Sequence, residues 1–223
     1  MEPAQTTRSA AKALGYEYLA IIDHSQSSVI ANGLTPQRLV KQIAEVRKVA
    51  SKLKGITLLA GAEVDILADG HLDYEDTVPA ELDMVIGSPH TALKQDPQKA
   101  TDRLLRAIEH RYVNVIGHPT GRMINQREGL LLDFARVFAA AAQTGTALEM
   151  NAGWPRLDLD EFHSRAAIDA GVMLSINTDA HSPEGLSDID YGLSTARRGW
   201  VTAKHVINCL AFNDLMKLLR SKR

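Results

Sequence analysis

The stretch Ile56–Ile66, which reads ITLLAGAEVDI, shows most directly how this chain folds. It is a run of apolar residues that lacks a regular alternation with polar ones. Such a run is typical of a strand that is covered on both faces, as in a parallel sheet. One carboxylate, that of Glu63, lies late in the run, close to the point where a strand of this kind ends.

Similar apolar runs and amphipathic stretches alternate along the rest of the chain. The other predicted strands are Tyr18–Asp23, Asp83–Ser88, Val113–His118, Thr146–Asn151 and Val172–Asn177. The predicted helices are Thr6–Leu14, Thr35–Leu53, Asp96–His110, Leu131–Thr144, Asp160–Ala170, Thr202–Leu210 and Asn213–Ser221. Repeated strand–helix units indicate an α/β fold, either an open doubly wound sheet or a closed barrel. In both, reactive side chains come from the carboxyl ends of the strands.

Composition limits the class of protein. The chain has 223 residues, of which 45% are hydrophobic and 23% are charged, and these values exclude a disordered or fibrous protein. No apolar run is long enough to span a membrane, and no linker divides the chain, so we expect one domain over residues 1–223. The single cysteine, Cys209, fits a reducing cytoplasm, which is the predicted location. The net charge of −2 argues mildly against a polyanionic partner.

Histidines and carboxylates gather at the ends of the predicted strands. Four of the eight histidines lie there, and two carboxylates occupy equivalent positions; the six residues are His24, Glu63, His90, His118, Asp179 and His181. Imidazole and carboxylate groups are ligands for Zn²⁺, Mn²⁺ or Fe²⁺. Two such ions a few ångströms apart activate water for phosphoryl transfer. The sequence has no motif for a serine or cysteine nucleophile, a Walker loop or a dinucleotide-binding loop.

Other polar residues near these positions have two interpretations each. Glu149 is a metal ligand or a buried carboxylate paired with an arginine. Asp23 points away from His24 if the strand continues, so we expect it to orient a ligand or cap a helix rather than bind metal. Arg122 binds a substrate phosphate or forms a surface salt bridge. The Ala196–Trp200 stretch, ARRGW, contacts a nucleic-acid strand or packs at a helix end, and the second is favoured.

Taken together, the motifs resemble the PHP (polymerase and histidinol phosphatase) domain. The resemblance rests on DHS (Asp23–Ser25), GAEVDILADG (Gly61–Gly70), SPH (Ser88–His90), GHPTGR (Gly117–Arg122) and INTDAHS (Ile176–Ser182). The stretches ARRGW and LADGHLDY (Leu67–Tyr74) are most similar to the C-terminal PHP domain of bacterial family X DNA polymerases. The resemblance covers the chain from about Gly15 to Arg223.

This resemblance implies a distorted (βα)₇ TIM-like barrel with a metal cluster, often of three ions, that hydrolyses phosphoesters. It also implies 3′–5′ exonuclease activity and related processing of DNA 3′ ends. The implied ligands are the six residues named above. Glu63 would bridge two ions, with His90 and His118 on one and Asp179 on the other, while His24 and His181 would serve a third.

The chain departs from the family pattern at its start. The family begins with a strand that carries an H-x-H motif, and no H-x-H occurs in this sequence. Six candidate strands stand where the family has seven, so we expect an N-terminally truncated barrel without its first strand. The ion assigned to Asp179 would lose two ligands. We therefore expect two divalent ions, or three if the missing strand is supplied. A smaller departure is Pro89, where an aliphatic residue usually precedes His90.

Three functions remain open at this point. The first is a metal-dependent phosphoesterase that processes DNA 3′ ends, with a polymerase domain attached in full-length relatives. The second is a phosphatase for small molecules, of the histidinol phosphatase type. The third is a truncated, catalytically weak metal-binding module with a structural role. The predicted partners are accordingly a phosphoester substrate, such as a DNA 3′ end, and no membrane.

Overall fold

Six strands form one parallel sheet in the computed structural model, which describes residues 10–154 and 156–223. The strands are β1 (Tyr18–His24), β2 (Thr57–Asp65), β3 (Met84–Ser88), β4 (Val115–Ile116), β5 (Ala147–Asn151) and β6 (Leu174–Asn177). Their order in the sheet follows the chain, and every neighbouring pair is parallel. All six predicted strands are thus confirmed, although β4 is reduced to two residues.

Helices connect the strands except for β2 and β3, between which only a 3₁₀ turn, Pro79–Glu81, lies. The helices are α1 (Pro36–Ala50), α2 (Pro97–Glu109), α3 (Phe134–Thr144), α4 (Glu161–Asp169), α5 (Ile189–Arg198) and α6 (Phe212–Arg220). The side chains of Thr35 and Asp96 accept hydrogen bonds from the first-turn amides of α1 and α2, as their Thr-Pro and Asp-Pro starts predict. Among the described residues, none of the helices combines the length and the apolar character needed to cross a membrane.

The two faces of the sheet are buried in different ways. The outer face carries residues such as Leu58, Val85, Ile116, Leu148 and Leu174, which join the apolar sides of the surrounding helices in the main core. This double coverage explains why the strands read as continuous apolar runs.

The inner face changes character along the strands, because every second residue points to it. At the amino ends it is apolar, and Leu59, Met84 and Val115 pack there against Leu215 and Leu219 of α6. At the carboxyl ends the same face carries ionisable and amide side chains: His24, Glu63, Asp65, Glu149, Asn151 and Asn177.

The sheet curls so that its first and last strands approach each other. The ring of His24, at the end of β1, is stacked on that of His181, beyond β6, with centroids 6.2 Å apart. At the opposite end, the Tyr18 hydroxyl lies 2.9 Å from the Leu210 carbonyl oxygen. Within residues 10–154 and 156–223 only isolated parallel bridges lie at the outer edges of the sheet, between Ser25 and Leu34 beside the end of β1 and between Leu174 of β6 and Val206. The six parallel strands are consistent with a distorted TIM-like barrel, and a (βα)₇ barrel that lacks its first strand stays a prediction.

The structure corrects one of the helix predictions and covers only part of another. The single helix predicted over Thr202–Leu210 is wrong: the segment forms two short 3₁₀ turns, Ala203–His205 and Ile207–Cys209. It departs from a helix because the Asn208 side chain bonds both the N–H and the C=O of Ile176 at the edge of β6. Of the helix predicted over Thr6–Leu14, residues 10–13 are helical and residues 6–9 lie outside the described part.

Helix α5 was not predicted, because Gly192 interrupts its pattern. The glycine is required by packing. A Cβ at this position would lie 2.7 Å from the Ala152 Cβ and 2.8 Å from the Ile176 Cγ2.

Candidate metal centre

Four neighbouring strands bring a histidine or carboxylate to the same end of the sheet. His24 is the last residue of β1 and lies opposite Glu63 in the parallel ladder with β2. His90 follows β3 by two residues, and His118 follows β4 by two. The sequence therefore places these side chains together through strand order alone, since the carboxyl ends of parallel strands meet at one edge.

The Glu63 carboxylate is the centre of the group. Its Oε1 atom lies 2.9 Å from His118 Nε2 and 3.3 Å from His90 Nε2, while its Oε2 atom lies 3.4 Å from His24 Nδ1. Each of His24, Glu63 and His90 offers a ligand atom, and these three atoms lie within 4.8 Å of one another. Three imidazoles thus surround one buried carboxylate.

Asp65 orients one of these imidazoles. Its Oδ1 atom lies 2.5 Å from His90 Nδ1, which directs His90 Nε2 towards Glu63. The Ser27 hydroxyl bonds the other carboxylate oxygen. Carboxylates that hold a ligating histidine in this way fix its ring orientation and its tautomer. The sequence prediction assigned no role to Asp65, although its spacing from Glu63 puts both on one face of β2.

Mutual contacts set the charges of the group. Burial raises the pKa of Glu63, but hydrogen bonds with His118 and His90 outweigh it and hold this pKa well below its usual value. Burial lowers the pKa of His90, but hydrogen bonds with Asp65 and Glu63 reverse this effect and raise the pKa to about 9. Glu63 is therefore an anion over the physiological range, as a metal ligand must be.

The residues fit a divalent metal ion. His24 Nδ1 is buried without a hydrogen-bond partner in the structure, although it faces Glu63. Two imidazole nitrogens also approach the same oxygen of Glu63, an arrangement in which a cation would satisfy all three groups. The combination of imidazole and carboxylate ligands suits Zn²⁺, Mn²⁺ or Fe²⁺.

Asp179 and His181 lie beside this set, on the loop after β6. The Asp179 carboxylate is 3.3 Å from Asn151 Nδ2 and 3.6 Å from Arg156 Nε. His181 is largely exposed, and its Nδ1 lies 2.8 Å from the Asp179 main-chain oxygen. Among the described residues, neither belongs to the group whose ligand atoms fall within 4.8 Å. Their assignment as ligands stays a prediction.

Glu149 has amide partners rather than an arginine. Within the described residues it accepts hydrogen bonds from the His118 N–H at 2.6 Å, Asn177 Nδ2 at 2.9 Å and Asn151 Nδ2 at 3.3 Å. Burial raises its pKa to about 7. Gly117 leaves room for this network, because a Cβ there would lie 2.3 Å from Ser88 Oγ and 3.6 Å from Glu149 Oε2. Glu149 thus fixes the backbone that carries His118.

Asp23 and Arg122 lie away from the histidines. The side chain of Asp23 is on the opposite face of β1 from His24, where it contacts Gln42 of α1, and its role in orienting a ligand stays a prediction. Arg122 donates hydrogen bonds to the carbonyls of Arg156 and Leu157, and its Nη1 lies 3.4 Å from Asp160. These contacts hold a loop, and the predicted phosphate contact of Arg122 stays untested.

Comparisons with known proteins add a separate line of evidence. No family model matches the chain. It is 43% identical over 206 residues to the DNA polymerase/3′-5′ exonuclease PolX of Bacillus subtilis, covering 92% of this chain and 36% of that protein. It is 28% identical over 167 residues to a probable phosphatase of Thermoanaerobacter sp. (strain X514), covering 70% and 66% of the two chains. A probable phosphatase of Shewanella sediminis is 26% identical over 209 residues, covering 90% and 80%.

The chain thus spans about a third of the length of PolX and about two thirds of that of the Thermoanaerobacter protein. By sequence it is similar to part of a protein named as a polymerase and exonuclease, and to proteins named as phosphatases.

Proposed function

We propose that the chain is a metal-dependent phosphoesterase of the PHP type that hydrolyses the 3′ ends of DNA. The observation that carries the proposal is the convergence of His24, His90 and His118 on the buried carboxylate of Glu63. A cluster of this kind at the carboxyl ends of parallel strands is typical of a catalytic metal centre.

Some residues of the site would bind the metal ion, and others hold those ligands in position. His24, Glu63 and His90 would hold a divalent ion, with His118 beside them. The ion supplies Lewis-acid stabilisation of phosphoryl transfer. Asp65 holds the ring of His90, and Glu149 holds the backbone of His118. The apolar side chains between α6 and the sheet lie on the amino-end side of Glu63 and keep water away from that side of the cluster.

The similarity to PolX favours a DNA 3′ end as the substrate, since that relative is named as a 3′-5′ exonuclease. A second candidate is a small phosphomonoester, because several relatives of lower identity are named as probable phosphatases. The third function, a catalytically weak binding module, would leave the metal centre without turnover.

A direct assay separates these functions. The full chain is stripped with chelator, resupplied with Mn²⁺, Zn²⁺ or Fe²⁺, and incubated with a labelled single-stranded oligonucleotide or with glycerol phosphate. We expect metal-dependent release of nucleotides from the 3′ end. Glu63→Gln should abolish it, while His71→Gln, which changes an exposed histidine outside the cluster, should not.

Preferential turnover of glycerol phosphate would replace the first candidate with the second. Metal binding without hydrolysis of either substrate would contradict both. Equal activity in the wild type and Glu63→Gln would contradict the assignment of the site.

A further inference from the structure

A loop between β5 and α4 is fixed against the metal centre from two sides. The described residues of this loop, 153, 154 and 156–160, are here called the recognition loop. The buried carboxylate of Asp158 accepts hydrogen bonds from the N–H groups of Thr120 and Gly121, and from the Thr120 hydroxyl. Arg122 bonds the carbonyls of Arg156 and Leu157. The loop is therefore tied to the turn that follows His118.

Gly153 brings the start of this loop into contact with the segment that carries Asp179. A Cβ on Gly153 would lie 3.1 Å from the Thr178 carbonyl oxygen and 3.9 Å from the Asp179 Cβ. A Cβ contact of 3.1 Å is tighter than usual, so a glycine favours this close approach of the two backbones. The next residue, Trp154, follows the point where the loop meets the segment that carries Asp179, and its side chain is 64% exposed.

Three arginines lie in this region, and they differ in what their guanidinium groups contact. Arg122 bonds two carbonyls, as described above, and both bonds from the side chain of Arg127 go to the Gly121 carbonyl. The Nε of Arg156 lies 3.6 Å from Asp179 Oδ2, and within the described residues its guanidinium makes no hydrogen bond. Arg156 is therefore the arginine whose donors are available to a phosphate beside the metal centre.

We propose that Arg156 and Trp154 form a recognition pair for a nucleotide phosphoester, in which Arg156 binds the phosphate and Trp154 stacks on the base. An arginine fork matches phosphate oxygens, and an exposed aromatic ring stacks on a base of any sequence. The proposal rests on the proposed function and sharpens it: the site takes phosphoesters of nucleosides rather than those of aliphatic alcohols.

Binding measurements test the pair without relying on turnover. In the Trp200→Phe chain, Trp154 is the only tryptophan, so its fluorescence reports directly on stacking. Deoxyadenosine monophosphate, added with Zn²⁺ present, should quench this fluorescence, and inorganic phosphate should not. By calorimetry the nucleotide should bind about 10-fold or more tightly than phosphate.

Variants separate the two contacts. Trp154→Ala should reduce nucleotide affinity to that of phosphate, while Trp200→Ala, which removes the other exposed tryptophan, should not. Arg156→Ala should weaken the nucleotide and phosphate by the same factor, and Arg156→Lys should restore part of the loss. Thermal unfolding of each variant checks that it is folded. Equal affinity for nucleotide and phosphate, or an unchanged affinity in Trp154→Ala, would overturn the proposal.

Activity distinguishes failure of the pair from failure of the enzyme assignment. If Trp154 stacks on a base, Trp154→Ala should lower the hydrolysis of an oligonucleotide but not that of glycerol phosphate. If both substrates are hydrolysed and their ratio is unchanged in Trp154→Ala, the recognition pair is wrong and the phosphoesterase stands. If neither is hydrolysed but nucleotide binding depends on Trp154, the phosphoesterase is wrong and the pair stands.

Discussion

The two ends of the inner sheet face satisfy their polar groups in opposite ways. At the amino ends, polar side chains bond main-chain carbonyls: Tyr18 reaches Asn208 and Leu210, Asn114 reaches Leu219, and Lys222 reaches Ile108 and Val113. At the carboxyl ends, ionisable side chains contact one another, and the His24 Nδ1 atom is buried without a hydrogen-bond partner among residues 10–154 and 156–223.

This difference separates the residues that stabilise the fold from those that form the candidate metal centre. Side chains that bond the backbone hold α6 and the chain terminus against the sheet, and their loss should cost stability. The imidazoles around Glu63 contact side chains rather than the backbone, and the nitrogen of His24 that is unpaired within the described residues indicates that their full set of partners includes a further group. The comparison predicts that changes at the carboxyl ends alter metal binding, and that changes at the amino ends alter the free energy of unfolding.

Glu63→Gln should have the largest effect on the metal centre. The substitution removes the anion shared by His24, His90 and His118 while keeping the size of the side chain. Even partners outside the ligand set change metal affinity by about 10–100-fold, so we expect a loss of more than about 100-fold. Calorimetric titration of the metal-free chain with Mn²⁺ measures it. A loss below 10-fold would contradict the central place of Glu63.

Leu219→Ala should have the largest effect at the amino ends. Leu219 is 1% exposed in the cluster between α6 and the sheet, and a cavity of this kind costs about 2–5 kcal/mol of unfolding free energy. Urea unfolding measures this cost, and Leu193→Ala on the surface of α5 provides the control. Metal affinity should stay unchanged. If the folded variant also loses metal affinity, the amino ends of the strands are not independent of the metal centre.

Asp65→Asn should weaken metal binding by about 10–100-fold, because the ring of His90 loses its carboxylate partner while every proposed ligand remains. The amide keeps the shape of the side chain, so the free energy of unfolding should change by less than the free energy of metal binding. The same Mn²⁺ titration applies. A metal affinity equal to that of the wild type would show that Asp65 does not support the metal centre.

Tyr18→Phe should cost about 1 kcal/mol of stability, since it removes the hydroxyl that bonds the turn before α6. The exposed Tyr191→Phe is the matched control and should change stability by less than half as much. Urea unfolding compares the two variants. An equal effect in both would show that the Tyr18 contact contributes nothing.

The last prediction concerns pH. Burial lowers the pKa of Lys222 to about 8 from its usual 10.5, so the unfolded chain binds more protons than the folded chain between these values. The contribution of Lys222 to the free energy of unfolding should therefore rise with pH across this window. Lys222→Met should flatten that part of the curve. Parallel curves for the wild type and the variant would contradict the assignment.

Local signals and strand order account for what could be predicted from the sequence. The apolar runs predicted all six strands. The Thr35–Pro36 and Asp96–Pro97 pairs predicted where two of the helices begin. The grouping of His24, His90 and His118 around Glu63 could be predicted because a parallel sheet brings its carboxyl ends together, while the roles of Asp179 and His181 stay predictions. No knowledge of side-chain contacts was needed for these predictions.

The rest depended on contacts between distant segments. The 3₁₀ turns before α6 arise because Asn208 bonds the edge of β6, and α5 forms although Gly192 interrupts it. Arg156 was missed because the path of its loop is set by Asp158 and Arg122, which bond residues more than thirty positions away. Such pairings leave no periodic signal in the sequence.

The proposed metal centre lies at the carboxyl ends of β1–β3. Anomalous scattering from crystals of the full chain grown with Mn²⁺ would locate the ion. We expect a peak within coordination distance of His24, Glu63 and His90. A fully bound ion located elsewhere, or no peak at saturating Mn²⁺, would contradict this assignment.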